Sequence, residues 1–114
     1  MQTIFIKDIT NSHRAISAQD GEKVFDLIVS YFDQKEKVTV DFTEIDLTIT
    51  AFLNSSIGKL YSKYKPEVVK ELLRVEHMSN EELPLLKLVV DKAKERFRKP
   101  YSTDLDQIDL LNED

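Results

Sequence analysis

The chain has 114 residues, the length of one ordinary domain with a single core. Apolar residues make up 41% and charged residues 32%, and the net charge of −5 argues against a general binder of nucleic acid or anionic membrane, whose phosphates need a cationic footprint. With no cysteine and only Gly21 and Gly58 as glycines, disulfides, thiol nucleophiles, thiolate metal sites and Gly-rich phosphate loops are excluded.

The opening residues, MQTIFIKDIT, hold no long apolar run, which points to a cytoplasmic chain without a signal peptide. Gln2 to Lys7, centred on Ile4, Phe5 and Ile6, reads as a first strand. Asp8 to Ser17 is polar, with Asn11, Ser12 and His13 as turn formers. A helix is expected from Ser17 or Asp20, either of which can cap it, because Val24, Leu27, Ile28, Tyr31 and Phe32 recur at helical spacing. Gly21 suits a turn or a close approach at its start.

Lys37 to Phe42, KVTVDF, alternates Val38, Val40 and Phe42 with Thr39 and Asp41 and reads as a central strand. TEIDLTIT after it is compatible with more strand or with a loop. From Phe52 to Tyr64 the period is helical, with Leu53, Ile57, Leu60, Tyr61 and Tyr64 on one face. Asn54, Ser55 and Ser56 then fall at or inside its first turn. Pro66 ends that helix or opens a short successor, PEVVKELL.

Leu72 to His77 reads as a third strand. Ser79 followed by Glu82 is a capping-box signature, and Pro84 marks a helix entry. Leu86, Val90, Ala93 and Phe97 form the apolar side of that helix, which Pro100 stops. Residues 1–99 are therefore expected to form one domain, with 100–114 as an acidic tail. No stretch approaches the roughly 20 apolar residues of a membrane span. The alternation predicts an α/β domain with a small mixed or parallel sheet flanked by helices, and a further strand within residues 8–17 or 43–50.

The segment VTVDFTEIDLTITAFLNSSIGKLY, residues 38–61, resembles the STAS domains (sulphate transporter and anti-sigma factor antagonist). In those, a strand ending in Asp leads through a loop to a helix that opens with Asp-Ser-Ser or Asp-Ser-Thr. Asp41 matches the strand Asp, and Asn54, Ser55 and Ser56 match the triplet. Residues 2–99 are similar more broadly to a bacterial STAS-like family of unknown function, through AQDGEKVFDLI, FLNSSIGKLY and LLKLVVDKAKERF. The resemblance implies a STAS-like fold and a non-enzymatic signalling module that engages a protein partner, such as a histidine-kinase-like ATPase. It implies no cofactor. It also implies Ser55, and secondarily Ser56, as phospho-acceptors, with Asp41 and Asn54 as partner contacts; Lys59, one turn after Ser55, is placed to pair with a phosphate or a partner's carboxylate.

The same residues have plainer uses. Asn54 or Ser55 can cap a helix, Asp41 can hold a turn, and Lys59 can simply be solvated. The run KAKERFRK, with Lys92, Lys94, Arg96, Arg98 and Lys99, suits an alternative nucleic-acid-associated module. It equally complements a helix macrodipole. His13 and His77 share no metal-ligand spacing and read as ordinary polar residues, so no metal site is expected. Dispersed carboxylates would support an enzyme only if two of them met in a cleft, and no spacing singles out a pair.

Overall fold

A computed structural model describes residues 2–97. The chain runs β1 (Gln2–Phe5), α1 (Ile6–Thr10), β2 (Arg14–Ala15), α2 (Ala18–Phe32), β3 (Val38–Asp41) and β4 (Leu47–Thr48). It continues with α3 (Thr50–Ser56), a 3-10 turn (Gly58–Ser62), α4 (Pro66–Leu72), β5 (Leu73–Glu76) and α5 (Leu83–Phe97). β1, β3 and β5 form a parallel sheet in the order β1-β3-β5. Parallel neighbours need long crossovers, and the helices between these strands supply them. This is the α/β architecture that the alternating periods predict.

β3 is central and all four of its residues are buried. Its register sets Val38 between Gln2 and Leu73, and Asp41 between Phe5 and Glu76. The first strand stops earlier than expected. Ile6, fully buried, begins α1, and Asn11 closes that helix in the left-handed region at φ 53°. Five residues are too few to show a helical period.

Strands do occur in both windows left open, 8–17 and 43–50, but they do not extend the main sheet. β2 and β4 pair with each other in parallel, Arg14 opposite Leu47 and Ala15 opposite Thr48. The Thr48 hydroxyl donates to the Ala15 carbonyl at 2.8 Å.

α2 begins as the sequence indicates, with Ser17 Oγ accepting the Asp20 amide at 3.1 Å. Gly21, Val24, Ile28 and Phe32 form its buried stripe. Gly21 therefore serves close packing inside the helix. The continuous helix expected over 52–64 is replaced by α3 and the 3-10 turn. Ser55 and Ser56 turn their hydroxyls onto carbonyls of their own helix, a back-bonding that weakens and bends helices. Leu53, Ile57 and Leu60 remain buried across the change of pitch, and Tyr61 is partly buried against them.

Pro66 occupies the first turn of α4, where a missing amide costs nothing. At the start of α5 the Ser79 carbonyl accepts the amides of Glu82 and Leu83 at 3.0 and 3.1 Å. The expected reciprocal box does not close: Glu82 Oε1 accepts the Ser79 hydroxyl at a long 3.4 Å, while Oε2 accepts the Thr48 amide at 2.8 Å. Glu82 thereby ties α5 to β4. The buried line of α5 runs through Val89 and Ala93, with Leu86 and Val90 partly buried beside it. α3 contacts both α2 and α5, and the Phe42 and Phe52 rings meet edge to face at 6.4 Å where β3 ends. The boundary at 99/100 and the tail lie outside the described residues.

Candidate functional site

α3 holds most of the residues singled out by the sequence, though not at its opening. It starts at Thr50 with Ile49 before it and no side-chain cap, so Asn54, Ser55 and Ser56 occupy its last turn. The expectation that Asn54, Ser55 and Ser56 fall at or inside the first turn of the helix is therefore corrected. Ser56 is fully buried and donates to the Phe52 carbonyl at 2.8 Å. Ser55 is partly buried, and its hydroxyl lies 3.0 Å from the Ala51 carbonyl and 3.1 Å from that of Phe52. Gly21 of α2 faces it so closely that a Cβ there would stand 1.9 Å from Ser55 Oγ. Asn54 and Lys59 are exposed, and Lys59 Nζ rests 4.7 Å from the centre of the Phe25 ring.

Asp41 stands apart from these residues, at the carboxyl end of β3. No hydrogen bond or ion pair joins it to α3 among the described residues. Its Oδ1 accepts the Thr43 amide at 2.8 Å and the Thr43 hydroxyl at 2.6 Å, the turn-holding role open to an Asp at a strand end. His77 Nδ1 donates to the same oxygen at 3.0 Å. Burial pushes the Asp41 carboxyl up, while the Thr43 hydroxyl and amide and then His77 pull it down, and it ends below the ordinary value. His77 follows β5 in the left-handed region, at φ 63°. Since Asp41 and Glu76 are register partners, the ends of β3 and β5 bring Asp41, Glu76 and His77 together, their ligand-type atoms within 4.8 Å of one another. The sequence reading missed this group. Its signal was two strand-like segments ending in Asp and in Glu-His, which a parallel sheet brings to one edge.

Comparison with known proteins agrees with this architecture. The family model described as STAS-like domain of unknown function (DUF4325) matches residues 20–83, more than half of the chain. The chain belongs to this STAS-like family. No curated protein and no solved structure matches it. The match covers all but the first two residues of α2, and then β3, β4, α3, the 3-10 turn, α4 and β5, and so includes Asp41, Ser55, Ser56 and His77.

Two surfaces of this STAS-like domain remain. The two-stranded β2–β4 ribbon turns Ala15 and Thr48 inward and leaves Arg14 and Leu47 exposed opposite each other, with Ile16 and Ile49 next along the chain and also exposed. Leu83, 45% exposed, follows the Glu82 that binds Thr48. The second surface is a groove of about 730 Å³ between the 3-10 turn, the start of α4 and the last turns of α5, lined by Tyr61, Tyr64, Pro66, Asp91, Lys94 and Phe97 among others. Burial, and then the Asp91 charge, pushes the Tyr61 phenol up. Tyr64 is pushed up to about 12 by burial first and then by its 2.7 Å hydrogen bond to Asp33 and that carboxylate's charge. Phenols held so protonated are no general bases at neutral pH.

Because the folded Tyr64 value lies above the ordinary value of 10.0, its contribution to stability is complete below pH 10 and is lost as pH rises toward 12. Urea denaturation across that range is expected to show Tyr64→Phe with a shallower decline than the parent. On α5, Lys92, Lys94 and Arg96 are exposed, with Glu95 among them and Arg96 stacked 5.6 Å from the Phe97 ring. Arg98 and Lys99 lie outside the described residues. No described helix is long and apolar enough to cross a membrane.

Proposed function

We propose that this STAS-like domain is a non-enzymatic, cytoplasmic regulatory module that binds a protein partner through the exposed face of its β2–β4 ribbon. One observation carries the reading. Leu47 of the ribbon and Ile16 and Ile49, the residues that follow its two strands, are 42%, 38% and 40% exposed, while Ala15 and Thr48 between them are buried. Apolar side chains gathered on one face mark an interaction surface more often than singly scattered ones do. Arg14 on the same face favours a partner that pairs an apolar patch with a carboxylate. Family membership supports a regulatory role by analogy, and a histidine-kinase-like ATPase is the partner class that the resemblance favours.

In this reading a phospho-switch would use Ser55, with Asn54 and Lys59 exposed beside it. A phosphate on Ser55 needs α2 and α3 to part, because Gly21 closes over the hydroxyl. Modification would then act by separating two helices, and not by decorating a free helix end. The nucleic-acid reading gains no comparable observation from the interleaved charges of α5.

Ile49→Asp and Leu47→Asp tests the proposal. Both positions are exposed, so Leu47→Asp is expected to move stability by no more than about 0.5 kcal/mol, and Ile49→Asp, which places a capping residue before α3, is expected not to lower it. Capture from native cells with the parent chain, followed by mass spectrometry, is expected to return a kinase-like ATPase, and titration of that purified partner should show binding weakened more than about tenfold by either change. Equal binding by parent and variants would remove the ribbon from the interface. An ATPase that binds only when Ser55 is unmodified would support the switch.

A further inference from the structure

We propose that Asp41, Glu76 and His77 form a binding site for a divalent first-row transition ion at the carboxyl edge of the parallel sheet. The site is independent of the protein-binding reading, since it lies on β3 and β5 and uses none of the β2–β4 ribbon.

Strand register builds it. Asp41 and Glu76 are directly paired neighbours at the ends of β3 and β5. The left-handed turn at His77 brings its imidazole back to Asp41. Carboxyl ends of parallel strands are where open α/β sheets hold ligands. The spacing suits a small ion. Two ligands of a tetrahedral ion at about 2.0–2.2 Å lie about 3.3–3.6 Å from each other, and the Asp41 carboxylate already stands within 3.0 Å of His77 Nδ1, whose proton moves to Nε2 when Nδ1 turns its lone pair to the ion. All three ligand atoms fall within 4.8 Å, so only a small swing of the Glu76 side chain, 41% exposed, is needed to close the set. Its present contact with Arg74 is a loose 3.6 Å, of a kind that contributes little at a surface.

Asp41 supplies the second, separate observation. Its side chain is only 8% exposed, yet all three of its donors converge on Oδ1. Among the described residues none reaches Oδ2. Oδ2 therefore keeps its lone pairs for an ion while Oδ1 stays bonded to Thr43. Two carboxylates with one imidazole favour zinc, manganese or iron over magnesium and calcium, because the nitrogen donor is too soft for the hard ions. Three protein ligands also leave coordination positions open for water or for a group on another molecule.

Calorimetric titration of the full chain with zinc, with magnesium as control, tests the site. The expected result is one zinc ion per chain and no comparable magnesium binding. His77→Asn removes the ring nitrogen while keeping a residue that tolerates the left-handed region, and Glu76→Gln removes the charge. Both positions are exposed enough for the fold to survive, which a thermal melt will verify. Each change alters a ligand and is expected to weaken zinc binding at least as much as loss of an outer-shell partner does, about 10–100-fold. In parallel, zinc should shift the imidazole NMR signals of His77 and leave those of His13 in place. Absence of stoichiometric zinc binding, or binding that persists in both variants, or a shift at His13 alone, overturns the proposal in favour of a hydrogen-bonded strand end. Failure of partner capture leaves the zinc result unaffected.

Discussion

Gly21→Ala is expected to destabilise the domain by about 2–3 kcal/mol, the upper part of the range for inserting a methyl into a packed interior. The new Cβ would lie 1.9 Å from Ser55 Oγ, 2.7 Å from the Phe52 carbonyl oxygen and 3.1 Å from Ser55 Cβ. Rotating the Ser55 hydroxyl relieves only the first clash. The Phe52 carbonyl belongs to the backbone and accepts the Ser56 hydroxyl as well, so α2 must lift away from α3. Alanine's better helix preference, about 1 kcal/mol over glycine, offsets part of the cost. Urea denaturation of Gly21→Ala, Ser55→Ala and the double variant separates the contributions. Ser55→Ala in the Gly21→Ala background should restore less than half of the loss, because the carbonyl clash remains. If Gly21→Ala instead stabilised the chain by about 0.4–1 kcal/mol, as an open helical glycine would, the close approach of α2 and α3 would be refuted.

That contact explains what the sequence could and could not convey about α3. The change to a helical period near Phe52 was legible because Leu53, Ile57 and Leu60 keep one face buried. The helix start was not. No Ser, Asp or Asn caps Thr50, whereas Asn54, Ser55 and Ser56 carry the composition of a cap. Both serine hydroxyls are donated to carbonyls within the helix, a use that composition cannot tell from capping. The α/β class and the position of β3 were legible from alternation over five or six residues. β2 and β4 were not, since two residues each are too few to show a period.

Asp41 and His77 were illegible as a pair for a different reason. They are 36 residues apart, and only the β3–β5 register brings them together. Lateral strand order is a tertiary fact. Each segment could be recognised as a strand, but nothing in either announces its neighbour. The same limit applies to Glu82, whose local capping partner was plain in the sequence and whose actual acceptance of the Thr48 amide was not.

Leu60→Ala is expected to have the largest effect on stability, about 2–5 kcal/mol, and in the upper half of that range. Leu60 is fully buried within the 3-10 turn. Its amide donates to the Ile57 carbonyl and its own carbonyl accepts the amides of Lys63 and Tyr64, so its backbone is fixed at the junction. The turn contacts α2, α3, α4 and α5. A cavity left inside a turn that touches four elements is hard to close by moving any one of them, and cavities that fail to collapse lie at the costly end of the scale. The urea midpoint should fall with the slope unchanged, since the same surface is exposed on unfolding. The melting temperature should drop by more than about 10 °C for a domain of this size. Leu88→Ala provides the contrast: Leu88 is 47% exposed on α5, and its loss should stay within about 0.5 kcal/mol. Equal effects of the two substitutions would mean that the 3-10 turn does not hold the helices to one another.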